Sequence, residues 1–326
     1  MSTPDISTQL RDGGVDAWLV EAVQRLARNE DRSLDPYLLT VGDAHALADT
    51  TATCRCHFVR IDPQGNPRVS ALVNMLVDQV VDYCIPRTRI EEAREHLLRT
   101  GSTEKVLQLQ REAKGLFTKI KTTGEGGELL LYALLEIALG LPQILCKMSL
   151  KTNPQVHYHG IDGVHAKALA DGTLAVYWGE AKLYANVNSA IDAAMTSLAP
   201  FLLDPGGGAA QRDVLLLRDN TDAGDEELTA ALVRYFTEDS VEASRLVVRG
   251  ACLIGFSLED YPDPFEDDNT SVRNEIAEAI THWRARAGTA IANEKLVAFE
   301  LELFFVPLPS VQDFRDLLLS RLGLTA

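Results

Sequence analysis

The sequence predicts an α/β protein, a mixed central sheet flanked by helices, with a mainly helical N-terminal part. Three observations carry that prediction. From residue 122 onward, apolar segments of strand length alternate with segments of helical period, in the order helix, strand, strand, helix, strand, helix, strand. The chain has 326 residues, enough for one large domain or two modest ones around a buried core. Hydrophobic residues make up 46% and charged residues 24%, an ordinary globular balance.

Residues 1–50 read as helical and weakly specified. "CRCHFVRID" (54–62) reads as a strand, with a turn at "PQGNP". Residues 68–85 are apolar and fit helix or strand; residues 88–118 are helical and charged. Thr122 and Glu125 have capping-box spacing, and the glycines after them lead into a strongly apolar helix ending near Gly140. "QVHYHGIDGVHAKAL" and "TLAVYWGEAKLY" read as two strands joined through a turn at "ADG". Asn188 is expected to cap a helix that carries Ile191, Ala194, Met195 and Leu198 and stops near Pro200. "DPGGGAAQ" (204–211) follows as a flexible loop. Strands at 244–257 and 296–309 flank an acidic loop and a helix at about 270–290, and "VQDFRDLLLSRLGLTA" is an amphipathic helix. The expected partition is an N-terminal region, 1–86, and a main domain, 87–326.

Composition excludes several classes. "LLLYALLEIALGLPQIL" (129–145) contains Glu136 and Pro142, so it is a core helix and no membrane association is expected. The first residues lack a basic stretch followed by an apolar one, so a cytoplasmic location is expected. Five cysteines, with Cys54-Arg55-Cys56 the only close pair, speak against a disulfide framework or a four-cysteine zinc site. Lys and Arg number 31 against 47 Asp and Glu, a net charge of −16, which by itself disfavours a polyanion partner. The charge is uneven, however. Five bases and one acid lie between Lys105 and Lys121, whereas "EDYPDPFEDD" has six acids and no base. A solvated helix face is the plain explanation of the basic segment.

Glu180 and Lys182 share one face of their strand, with Ala181 on the other. Glu-x-Lys is common by chance, and an exposed ion pair is the simple alternative. Context adds weight: if the hairpin closes through "ADG", Asp162 comes close to Glu180, and a helix starting at the glycines adds Glu128. Three converging carboxylates repel unless a hard cation sits among them, and Mg²⁺ takes oxygen ligands. Lys182 would then position the attacking water and offset phosphate charge. Glu125 rivals Glu128, since both flank the same glycines.

This order of helix Glu, strand Asp and Glu-x-Lys on the next strand resembles the PD-(D/E)xK nucleases of restriction-endonuclease-like fold. More narrowly, "GEGGELLLYALLE", "GIDGVH", "YWGEAKLY" and "AIDAAMTSLAPFL" are similar to the HamA family of nuclease subunits in Hachiman anti-phage defence. The resemblance spans roughly residues 50–310, and one departure is Ile161 where many members have proline before the aspartate. It implies a restriction-endonuclease-like core in residues 87–326 and a Mg²⁺-dependent deoxyribonuclease, with Mn²⁺ as a substitute. Glu128, Asp162, Glu180 and Lys182 would be catalytic, the three acids as metal ligands. It further implies DNA as substrate and a HamB-like superfamily 2 helicase as partner, which would fit an acidic chain. The rival is a non-catalytic adaptor or DNA-sensing subunit on the same fold.

The histidines of "HYHGIDGVH" offer a second rival, a zinc hydrolase. His157, His159 and His165 share one face of a regular strand and Asp162 lies on the other. His165 would lie about 20 Å beyond His159 at ~3.3 Å per residue, too far for one ion, so the histidines are secondary. No Walker-type loop is present, and "IGFS" lacks the second glycine of a nucleophile elbow.

Overall fold

The computed structural model describes residues 14–28, 32–117, 124–150, 162–204, 207–259, 261 and 270–324. Helix α1 (Gly14–Leu26) precedes strands β1 (Leu38–Thr40), β2 (His45–Ala46) and β3 (Ala52–Val59). Helices α2 (Val69–Asp78), α3 (Val80–Cys84), α4 (Arg87–Thr100), α5 (Glu104–Leu116) and α6 (Glu125–Ala133) follow. Strands β4 (Gln143–Leu145), β5 (Gly163–Ala168) and β6 (Leu174–Tyr184) come next, then helices α7 (Val187–Leu203), α8 (Gly208–Asn220) and α9 (Glu226–Tyr235). The remaining elements are β7 (Leu246–Ser257), α10 (Thr270–Asn293), β8 (Leu301–Leu308) and α11 (Val311–Leu322).

The strands form one mixed sheet in the order β1-β3-β8-β7-β6-β5-β4, with β2 also on β3. The centre, β3-β8-β7-β6, is parallel, and β5 and β4 add antiparallel strands beyond β6. A parallel centre is buried on both faces, and the residues of β6 divide accordingly. Leu174, Val176 and Trp178 join a core layer with α1, α7, α8, α9 and α10. Ala175, Tyr177, Ala181 and Leu183 join the opposite layer with α2, α3, α5, α6 and α11. Three large aromatics, Phe58, Phe256 and Phe305, close around Trp283 of α10 in the first layer. The mixed α/β prediction therefore holds, and no helix among the described residues is long and apolar enough to cross a membrane.

The ambiguous stretch 68–85 resolves into α2 and α3, because Leu72, Val73, Met75 and Leu76 recur on one helical face. The apolar helix of 129–139 is buried as expected. It ends in a π-helical turn, Leu134–Ala138, before Gly140 takes the left-handed conformation at φ 61° that suits glycine. Thr122 of the expected capping box lies outside the described residues, and α6 starts after Gly124 with no side-chain cap. The cap of α7 is Asn186, not Asn188. Asn186 has extended backbone and its side chain accepts from the Ser189 amide at 3.1 Å, while Asn188 is already helical. Nor does α7 stop at Pro200; Phe201 and Leu202 are buried and carry it to Leu203. The glycine-rich loop is shorter than expected, since α8 begins at Gly208. Strands β1, β2 and β4 and helix α8 carry no signal strong enough to be assigned from pattern, whereas α9 has an Asp225 cap and buried Leu228, Ala231, Leu232 and Tyr235 at helical spacing.

Candidate active site

The site is built where β5 meets β6. Gly163 pairs with Gly179, so the antiparallel register sets Asp162 opposite Glu180. The Asp162 amide donates to the Gly179 carbonyl at 2.8 Å, and the Ala181 amide donates to Asp162 Oδ2 at 2.8 Å. Glycine at 179 permits this approach: a Cβ there would meet the Gly163 carbonyl oxygen and Leu131 Cδ2, both at 3.2 Å. Lys182 Nζ lies 2.5 Å from Glu180 Oε1, an ion pair with Glu180 nearly buried.

The third carboxylate arrives from α6. Gly127 lets this helix lie on β6, because a Cβ at 127 would come within 3.1 Å of Leu183 Cγ and 3.2 Å of Ala181 Cβ. The next residue, Glu128, is half-buried, and its Oε2 accepts a hydrogen bond from the Tyr83 hydroxyl at 3.0 Å. The side chain of its rival Glu125 lies outside the described residues.

Electrostatics tie these groups together. Burial, then the charges of Glu180 and Glu128, push the Asp162 carboxyl well above the usual range, against the Ala181 amide and Lys182. Burial also raises Glu180, opposed first by Lys182; Glu128 adds to the rise and Lys147 offsets it. Burial disfavours the Lys182 ammonium, but Glu180 and Asp162 raise its pKa on balance. Lys147, in a 3₁₀ turn (Lys147–Leu150), is itself paired with buried Asp213 of α8 at 3.6 Å. Cys252 lies opposite Glu180 on β7 and is no nucleophile, since burial and then Glu180 hold its thiol well above the usual value.

Among the described residues no three His, Cys, Asp or Glu side chains form a ready-made metal cluster. The donor set nevertheless suits a hard cation. Each acid has one oxygen engaged by a protein donor: Asp162 Oδ2 by Ala181, Glu180 Oε1 by Lys182 and Glu128 Oε2 by Tyr83. The second oxygen of each has no partner among the described residues. Mg²⁺ commonly binds through one or two carboxylates, completing its shell with water and substrate phosphate, so a preassembled cage is not required.

His157 and His159 lie outside the described residues. His165 faces the layer opposite to Val164 and Ala166, against Tyr132 with ring centroids 6.1 Å apart. It is fully enclosed, and burial and then Arg87 hold its pKa down at about 3. It is a neutral core histidine. Tyr83, Lys147 and Asp213 escaped the sequence reading because they come from a segment of ambiguous period, a short 3₁₀ turn and an unassigned helix; no local motif marks them.

A search of curated proteins found no match. The family model for HamA matches residues 36–322, an interval that contains Tyr83, Glu128, Asp162, Glu180 and Lys182. That match covers most of the chain, and the protein belongs to the HamA family of the Hachiman anti-phage defence system.

Proposed function

We propose that this HamA-family chain is a metal-dependent deoxyribonuclease that hydrolyses phosphodiester bonds of DNA during anti-phage defence. The observation that carries the reading is Asp162 opposite Glu180 in register, with Lys182 Nζ 2.5 Å from the Glu180 carboxylate. Asp162 and Glu180 would hold Mg²⁺, or Mn²⁺ in its place, with Glu128 assisting directly or through water. The chemistry supplied with the cation is a more acidic water and screening of the charge that develops on phosphoryl oxygens.

The chain's own residues supply the rest. Asp162 is fixed by the Ala181 amide, so its carboxylate is aligned before substrate arrives. Lys182 stays charged beside Glu180 and Asp162, so it can orient the attacking water and offset the negative charge on the scissile phosphate. Water adds to phosphorus and gives up one proton, the bond to the 3′ oxygen breaks, and that oxygen takes up one proton, so one water is consumed and no net proton is lost. The products are a 5′-phosphate and a 3′-hydroxyl. A net charge of −16 leaves little general attraction for DNA, which fits delivery by a superfamily 2 helicase partner of HamB type in the cytoplasm.

The test is end-group analysis of DNA treated with wild type and Asp162→Ala in Mg²⁺, alone and with the helicase. The reading expects 5′-phosphate ends from wild type only. Full cleavage by Asp162→Ala at matched purity would refute the assignment.

A further inference from the structure

We infer that Tyr83 is a positioning residue for the Glu128 carboxylate, so that the N-terminal region of the chain helps to build the cation site. The inference rests on the nuclease reading above. Tyr83 lies in α3 and its hydroxyl donates to Glu128 Oε2 at 3.0 Å, across the expected partition between residues 1–86 and 87–326. A hydroxyl donating to a carboxylate is among the stronger hydrogen bonds, and it commits one oxygen while leaving the other to face a ligand. Glu128 otherwise has a long side chain in the first turn of a helix that lacks a side-chain cap. Holding one rotamer beforehand removes an ordering cost from metal binding.

The holder is rigid. Tyr83 is 2% exposed, and its ring packs on Tyr132 at 5.3 Å and Phe117 at 6.2 Å between centroids. Its neighbour Asp82 is paired with Arg32 at 3.0 Å. Arg28, just beyond α1, donates to the Asp82 carbonyl and to the Tyr132 hydroxyl, and its amide donates to Glu136 Oε2 at 2.8 Å. These contacts tie α3 to α6 and its π-helical turn, so the two ends of the Tyr83–Glu128 hydrogen bond sit on one braced unit. A buried tyrosine often finds a partner merely to satisfy its hydroxyl. The two roles make different predictions for metal binding.

The experiment uses the full chain as wild type, Tyr83→Phe, Glu128→Gln and the double variant, with Mn²⁺ binding followed by calorimetry in the absence of DNA. Tyr83→Phe is expected to bind Mn²⁺ about tenfold more weakly, the lower end of the loss usual when a group orienting a ligand is removed. Half-maximal cleavage should shift to higher Mg²⁺ with little change at saturation. In the Glu128→Gln background, Tyr83→Phe should cost nothing further. Unchanged Mn²⁺ affinity in Tyr83→Phe, or an equal loss in both backgrounds, overturns the inference while leaving the nuclease reading in place. Phenylalanine keeps the ring packing, and Glu128→Ala probes the same bond from its half-exposed end; unaltered Mn²⁺ affinity there overturns it too. A wild-type chain that binds no Mn²⁺ and cleaves no DNA refutes the nuclease reading, and this inference falls with it.

Discussion

Asp162 stands across the β5–β6 ladder from Glu180, and the backbone of Ala181, the middle residue of Glu-Ala-Lys, donates to Asp162 Oδ2 at 2.8 Å. The tripeptide therefore acts through all three residues. Its outer side chains form the ion pair, and its central amide fixes the facing acid. A slip of one residue in this ladder would turn Asp162 to the other face of the sheet.

Metal should stabilise the fold. Beyond burial, the charges of Glu180 and Glu128 raise the proton affinity of Asp162, and that of Glu128 raises Glu180, so a bound cation relieves repulsion present only in the native state. At a free concentration of 100 times the dissociation constant, one site contributes about 2.7 kcal/mol. Calorimetric melting of wild type is expected to shift upward in Mn²⁺, and that of Asp162→Ala to stay put. Equal shifts would mean that the ion binds elsewhere.

Gly127→Val should damage both stability and cleavage. The added atoms would crowd Leu183 and Ala181, already 3.1 and 3.2 Å from an ideal Cβ. Overpacking of this kind costs about 1–3 kcal/mol, and it would lift the helix turn that carries Glu128. Urea unfolding measures the first effect and a cleavage assay on the folded fraction the second. A variant as stable and as active as wild type would show that α6 does not need this close seat.

Acid should weaken the fold through His165. Its native pKa is held at about 3, whereas an unfolded histidine titrates near 6.5. Between those values the unfolded chain binds the proton and the native one does not, so stability falls as pH drops below about 6.5. The slope is about 1.4 kcal/mol per pH unit, or about 2 kcal/mol between pH 6.5 and 5. His165→Leu should lose that much less than wild type in urea titrations at the two pH values. His57, held at about 4 first by burial, adds a parallel slope in both proteins. Identical slopes for wild type and His165→Leu would place His165 in a solvated setting.

The hairpin was legible because strand alternation and a short turn together determine which residues face each other. That pattern puts Asp162, Glu180 and Lys182 near one another, and the resemblance to the PD-(D/E)xK nucleases supplies their expected roles. The six other strand pairings of the sheet could not be read this way, since pairing between β3 and β8 or β6 and β7 joins segments far apart in the chain. Helix α8 follows a glycine cluster that hides its start, whereas α9 is legible, since Asp225 caps it and Leu228, Ala231, Leu232 and Tyr235 recur at helical spacing. Tyr83 was invisible for a different reason. A tyrosine in an apolar run looks like core, and only the packing of α3 against α6 gives its hydroxyl a carboxylate.

The most direct measurement is cleavage of plasmid and linear DNA in Mg²⁺ or Mn²⁺ by wild type and Lys182→Ala, each with and without the helicase partner. Loss of one preorganised group that stabilises transition-state charge typically costs 10²–10³-fold in rate. A loss of at least that size is expected for Lys182→Ala, with its circular dichroism unchanged. Cleavage by Lys182→Ala at the wild-type rate would contradict the assignment.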